Sequence, residues 1–187
     1  LFVVTLCAII TSLAAETCVG TQFGLSHHGS PVSRYETLKA MYTNCTSING
    51  NLELFWLEFE EDDPMDFSFL ESIQEVTGYV LIVSVYADYI PLYNLRIIRG
   101  QELYMKNDRS YALYIVANHK AGTNIGLKEL RFTSLYEISN GDVLLYNNHL
   151  LCYTNTIMWD DILSGEGARW ENHESPQRNN TPNRECG

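Results

Sequence analysis

The sequence predicts a mainly β fold, a solenoid in which short strands stack as successive coils closed off by short helices. The first observation behind this is a repeat. Residues 70–82 read L-E-S-I-Q-E-V-T-G-Y-V-L-I, and residues 92–100 read L-Y-N-L-R-I-I-R-G with apolar residues at the same offsets before the glycine. Phe132, Leu135 and Ile138 lead to Gly141 and a further short strand, and G-N-L-E-L at 50–54 is an earlier partial copy. The second is spacing: Gly78 to Gly100 spans 22 residues, a suitable length for one turn of a β-helix. One such coil cannot bury its own apolar edge, whereas stacked coils share a core. The third is the absence of G-x-S-x-G, H-E-x-x-H, a P-loop or a kinase Gly-rich loop. A solenoid without a catalytic motif presents a surface to a partner, so the repeat points to binding.

The elements follow in order. Residues 1–15 carry no charge, are too short for an ordinary membrane span, and end in small residues Ser12, Ala14 and Ala15. They read as a secretory signal peptide, cut after Ala14 or Ala15, whose initiator Met and basic start are missing. Residues 18–30 read as loop or short strand. Residues 33–42 read as a helix with Ser33 as cap, Glu36 three residues on, and Tyr35, Leu38 and Met41 or Tyr42 on one face. That helix would cover the open end of the first coil. Residues 49–59 form an apolar strand, and 58–66, with six acidic residues and Pro64, a solvated loop. Residues 78–85 and 111–117 are β-branched and aromatic, hence strands, with a polar loop at 101–109 between them. Residues 128–145 make another coil, with Arg96, Arg99 and Glu129 pointing outward. Asn147 and Asn148 sit where a solenoid turns and side-chain amides satisfy the backbone. Residues 156–163 read as a short closing helix or turn that begins at Asp160 and Asp161. Residues 165–187 read as a polar loop tied down by Cys186.

The chain has 187 residues, enough for one domain with its own core, and a formal net charge of −11, which argues against nucleic acid as a partner. Cys7 would leave with the signal peptide. Cys18, Cys45, Cys152 and Cys186 remain, an even count that reads as two disulfides in a secreted chain. Three connectivities are open on paper; nearest-neighbour pairing would staple each end of the solenoid. No C-x-x-C pair supports zinc, and the acidic run fits no EF-hand spacing, so no cofactor or metal is expected. Asn44 and Asn179 head N-x-S/T sequons, Asn179 being the stronger glycosylation candidate because it lies in a polar tail. The five histidines fall in loop-like stretches and read as surface residues.

A family resemblance adds to this. C-V-G-T at 18–21, Y-T-N-C at 42–45, G-N-L-E at 50–53, I-Q-E-V-T-G-Y-V-L-I at 73–82 and L-R-I-I-R-G at 95–100 closely resemble the first ligand-binding (L) domain of epidermal growth factor receptors. Y-A-L at 111–113, G-L-K-E-L at 126–130, Asn147-Asn148 through Cys152, and I-M-W-D-D-I at 157–162 continue the match to about Cys186. The wording of 42–46 and 50–54 is closer to invertebrate members. The resemblance implies a right-handed β-helix capped by helices, and local pairing as Cys18–Cys45 and Cys152–Cys186. It implies a signal peptide at 1–15 and a receptor L domain at 16–187, ending where a furin-like Cys-rich region begins. A second L domain, a second Cys-rich domain, a membrane span and a cytoplasmic tyrosine kinase would follow. The chain itself would be no enzyme, its parent would be a receptor tyrosine kinase, and its place would be the extracellular side of the plasma membrane.

The resemblance also implies a ligand site. One sheet face would grip an EGF-like growth factor together with the second L domain, leading to receptor dimerisation and signalling. The positions that align with family ligand contacts are Leu25, Trp56 and Val116. Core or cap packing is the bland alternative for each. Ser84 and His27 depart from the family pattern, and the longer loop at 101–109 leaves Asp108 as no more than a candidate acidic contact. The competing function is a secreted, kinase-free decoy that sequesters the same ligand.

Overall fold

The computed structural model describes residues 16–22, 29–58, 65–172 and 186. Parallel strands account for most of it. A narrow sheet takes one short strand from each pass of the chain: β1 (Thr17–Val19), β2 (Ser47–Asn49), β4 (Glu75–Val76), β7 (Ile97–Ile98) and β11 (Glu137–Ile138), hydrogen-bonded in that order. A broad sheet takes a longer strand from the same passes: β3 (Leu52–Leu57), β5 (Val80–Val85), β9 (Arg109–Val116), β12 (Asp142–Tyr146) and β13 (Trp170–Asn172). On a third side β6 (Tyr89–Ile90) pairs with β10 (Glu129–Leu130), and Glu129 bridges on to Cys152. Among the named strands only β8 (Tyr104–Lys106) runs antiparallel, against β9. The fold is mainly β with few helices, as the glycine-punctuated ladder predicts.

Register explains why these residues are strands. Ile48, Val76, Ile98 and Ile138 are matched across the narrow sheet and fully buried. Leu52, Val80, Leu113 and Val143 form a second interior column, and Leu54, Ile82, Ile115 and Leu145 a third. Each β-branched or leucine side chain sits on its equivalent in the next pass, and each fully buried one contributes about 1.5–3 kcal/mol. The glycines mark the corners between narrow and broad sheets. The Gly78 N–H donates to the Gly50 carbonyl (2.8 Å) and the Gly100 N–H to that of Gly78 (3.1 Å). A Cβ at Gly78 would lie 1.8 Å from Asn51 Oδ1, so no other residue fits there. Val76 and Ile98 pair at the 22-residue spacing read from the sequence. Ile98 and Ile138 pair across a longer excursion that contains β8.

Both ends are closed. Helix α1 (Pro31–Tyr42) buries Tyr35, Leu38 and Tyr42 at the start of the stack. Its cap is Ser30, whose Oγ accepts from the Ser33 N–H at 3.2 Å, with Pro31 at the first helical position. The expected Ser33 cap is therefore displaced by three residues, because Pro31 pre-sets the helical φ and opens the helix earlier. Cys18–Cys45 ties β1 to the end of α1, with Cα atoms 5.9 Å apart. At the far end α2 (Trp159–Ile162) buries Trp159 against Trp170, with ring centroids 6.3 Å apart. Cys152–Cys186 closes that end (Cα–Cα 5.8 Å).

Three further expectations are corrected. The strand expected over 49–59 is two strands in different sheets, split by Gly50 at φ +119°. The loop expected at 101–109 contains β8 and a tight turn, because Asn107 (φ 50°) and Asp108 (φ 60°) both adopt the left-handed conformation of a two-residue hairpin. The tail expected to be loop contributes β13, since Trp170 continues the interior column through Val143. The expected signal peptide at 1–15, together with Leu25, His27 and Asn179, lies outside the described residues.

Candidate ligand-binding surface

The broad sheet is apolar on both faces. Strand alternation sends Leu52, Leu54 and their equivalents inward, so the intervening residues face out. One outward row is Glu53, Leu81, Tyr114, Leu144 and Glu171; the next is Phe55, Val83, Val116 and Tyr146. Phe55, Leu81, Val83, Tyr79, Tyr111 and Tyr114 form a second buried cluster, separate from the interior core, with Tyr104, Val116 and Leu144 packed against it.

Half of this outer face is paved. Tyr104, carried by β8, lies 4.7 Å from Tyr114 and 5.9 Å from Tyr79, and Tyr111 lies 5.3 Å from Tyr114 (ring centroids). The Tyr79 hydroxyl donates to Oε1 of the fully buried Glu53 at 2.6 Å. Burial pushes the Tyr114 hydroxyl up to about 12, reinforced by Tyr104 and Tyr111. Tyr79 is pushed further in the same direction, first by burial and then by its bond to Glu53. Arg109 stacks over Tyr111 at 5.6 Å and reaches Asp142 (2.7 Å) and Glu171, so one guanidinium fastens the last two strands to β9.

The other half is open at its ends. Trp56 is 44% and Tyr146 40% exposed, with Phe55, Val83 and half-buried Val116 in the row between them. Trp56 begins a column of residues with left-handed backbone: Trp56 (φ 49°), Ser84 (φ 54°), Ala117 (φ 58°) and Asn147 (φ 58°) stand at equivalent positions in successive passes. β9 and β12 end just before this column, whereas β3 and β5 run through it and pair once more, Leu57 against Val85. Beyond it Asn118 and Asn148 are fully buried: the Asn118 amide donates to the Ile82 carbonyl (2.9 Å) and to Asn148 Oδ1 (3.0 Å), and the Asn148 amide to the Ile115 carbonyl (2.9 Å). The amide corner expected at Asn147–Asn148 is thus made by Asn148, with Asn118 as its unforeseen partner.

Of the residues singled out in the sequence, Trp56 and Val116 fall on this one face, in the Phe55 row or directly beside it. Trp56 is an exposed side chain rather than core. Asp108 stands at the tip of the β8–β9 hairpin, eight residues before Val116, roughly 26 Å along the strand. Asn44 is exposed on the turn after α1 (φ 66°). Arg99 pairs outward with Glu75 at 2.9 Å, and Arg96 is exposed. Two of the scattered histidines meet, His119 and His149, with ring centroids 5.0 Å apart; burial and then His119 lower the His149 pKa. Phe55, Val83 and Tyr146 were not foreseen. The signal for Phe55 and Val83 was the apolar stretch at 54–57 of β3 and at 80–83 of β5, which puts apolar residues on both parities of the strand. Among the described residues no helix is long and apolar enough to cross a membrane.

A stack of parallel strands that shows one apolar sheet face to its surroundings, with closed ends and stapling disulfides, is a binding module. The family model of the receptor L domain matches residues 44–163. The receptor tyrosine-protein kinase erbB-4 of Mus musculus is 45% identical over 152 residues, covering 81% of this chain and 11% of that protein. The epidermal growth factor receptor of Gallus gallus is 40% identical over 160 residues (86% of this chain, 22% of that protein). That of Drosophila melanogaster is 36% identical over 173 residues (91% and 11%). The chain belongs to the receptor L domain family, in its epidermal growth factor receptor branch. It spans 11–22% of the length of these relatives, and holds no kinase domain.

Proposed function

We propose that this chain is the growth-factor-gripping L domain of an EGF-receptor-like receptor tyrosine kinase. The observation that carries the reading is the outer row of the broad sheet. It ends at exposed Tyr146 on one side and at Phe55, directly beside exposed Trp56, on the other, on a face that the chain leaves apolar after its interior is already filled. Monomers seldom keep such surface without a use, and aromatic anchors with apolar surrounds are how interfaces concentrate binding energy. An EGF-like ligand would lie across Trp56, Val116 and Leu25 and be held from the other side by a second L domain. Closure of the two would release Cys-rich segments for receptor dimerisation.

The stacked passes are read as a right-handed β-helix, since parallel crossover connections are right-handed in about 98% of cases. Residues 1–15 are read as the signal peptide and 16–187 as the L domain, at the extracellular face of the plasma membrane. Glycans are placed on exposed Asn44 and on Asn179. The test is Trp56→Ala in the full ectodomain that this reading implies. Affinity for an EGF-like growth factor, measured by surface plasmon resonance, falls at least about fivefold if Trp56 is an anchor. An unchanged affinity in a folded variant removes Trp56 from the site.

A further inference from the structure

Trp56 is an outlier by its backbone as well as its exposure. An L-residue in the left-handed region costs about 1–2 kcal/mol, and the other members of its column, Ser84, Ala117 and Asn147, are small or tolerate that region better. Observed strain on a large exposed side chain calls for something that holds it. Neighbouring passes supply part of this: the Ala117 N–H donates to the Tyr146 carbonyl at 3.1 Å, and one residue past Trp56 the Leu57 carbonyl accepts from the Tyr86 N–H at 3.1 Å. Strand β3 is the edge of the broad sheet. On its open side it meets Thr21, whose Oγ1 accepts from the Glu53 N–H at 3.1 Å, and α1.

Arg34 of α1 fills that gap. It is 8% exposed, one of the few buried charged residues, and its Nη1 donates to the carbonyl of Phe55 (3.1 Å) and to that of Trp56 (2.6 Å). These two carbonyls belong to the peptide planes on either side of the Trp56 Cα. Holding both planes holds φ and ψ of Trp56, and with them the direction of its Cα–Cβ bond. The same guanidinium lies over the Phe55 ring, 4.8 Å from its centroid, and Nη2 reaches the Gly29 carbonyl at 3.4 Å. A buried cation on an aromatic face and two carbonyls is strongly directional.

We infer that Arg34 is a positioning residue for the binding face: it clamps the left-handed bend at Trp56 and so aims the indole outward for ligand. The contact role of Trp56 is that of the reading above; the clamp is a separate claim and is tested separately. The chain is labelled with 5-fluorotryptophan, whose three ¹⁹F resonances report Trp56, Trp159 and Trp170, the first assigned by Trp56→Phe. In Arg34→Met the Trp56 resonance is expected to move or broaden, while those of Trp159 and Trp170, at the far end of the stack, stay in place. Arg34→Lys, whose single ammonium can reach both carbonyls, is expected to restore it. A Trp56 resonance unmoved in a folded Arg34→Met overturns the clamp. If that variant does not fold, Arg34→Gln takes its place: its shorter amide cannot span both carbonyls, and an unmoved resonance is equally fatal.

Growth-factor affinity then separates the two claims. Arg34→Met is expected to weaken binding at least about fivefold, with no further loss when combined with Trp56→Ala. A displaced Trp56 resonance with unchanged affinity leaves the clamp standing and overturns the contact role of Trp56.

Discussion

The two halves of the outer face are built on the same strands from equally apolar sequence, yet one is closed and the other is not. In the first, Tyr79, Tyr104, Tyr111 and Tyr114 lie against each other under the β8 hairpin, and Glu53 is sealed beneath them with a donor from Tyr79. In the second, Phe55, Val83 and Val116 run between Trp56 and Tyr146, and the column beside them is bent into the left-handed region. The difference lies in where the tyrosine hydroxyls and the hairpin go. The paved half uses its aromatics to hold itself together. The open half holds its backbone by other means, with buried amides at Asn118 and Asn148 and a guanidinium at Arg34, and so leaves its aromatics for a partner. Apolar outward residues are therefore no single signal: the same composition is structure on one side and candidate interface on the other.

Alkaline titration should separate the halves with the largest effect. The Tyr114 hydroxyl is raised to about 12 and Tyr79 is raised too, both first by burial, while the unfolded chain ionises near 10. A group whose folded pKa is raised contributes stability that is whole below pH 10 and lost as pH rises from 10 through about 12, because the unfolded state releases its proton first. Denaturation midpoints at pH 8, 10 and 11.5 should fall steeply over that window, and tyrosinate absorbance at 295 nm in the folded protein should lag behind that of the denatured chain. If all tyrosines ionise together near pH 10 in the folded protein, the paving is not closed. The second effect is smaller. Tyr79→Phe removes the donor to a fully buried carboxyl and should cost about 1–3 kcal/mol in urea unfolding, with growth-factor affinity unchanged within twofold. A loss of affinity without a loss of stability would reverse the roles assigned to the two halves.

How much of this could be read from residues alone follows from the same contrast. The repeated glycines located the corners, and the ladder of Val76, Ile98 and Ile138 followed from periodicity, because those positions have one apolar parity and one steric requirement; Ile48 joins it only through the register of the structure. Both staples were legible once the family resemblance supplied the pairing. The broad sheet was harder. Where Leu52–Leu57 and Val80–Val85 are apolar on both parities, alternation cannot say which side is interior, so Trp56 could be read as core or surface until register was known. Residues 104–108 looked like loop because β8 is only three residues long before its turn, and Trp170 because it supports a short strand whose partner Val143 is 27 residues away. The Arg34 clamp had no sequence signal: it joins a helix to the carbonyls of residues 21 and 22 positions away, a contact made by backbone that any side chain could have carried.

The smallest effect probes the middle of the open half. Val116 is half-buried in the row, flanked by Val83 on one strand and Tyr146 on the other. Full burial of a valine, the smallest of the large apolar side chains, is worth about 1.5–2 kcal/mol, and a half-exposed one about half of that at most. Val116→Ser should therefore lower unfolding stability by no more than about 1 kcal/mol. If the row is the ligand face, the same change removes apolar contact at its centre and affinity should fall, by less than for Trp56→Ala because interface energy concentrates in the larger anchors. Paired urea unfolding and growth-factor titration check both numbers on one sample. A stability loss well above 1 kcal/mol with affinity intact would place Val116 with the paved half and move the boundary of the candidate site toward Trp56.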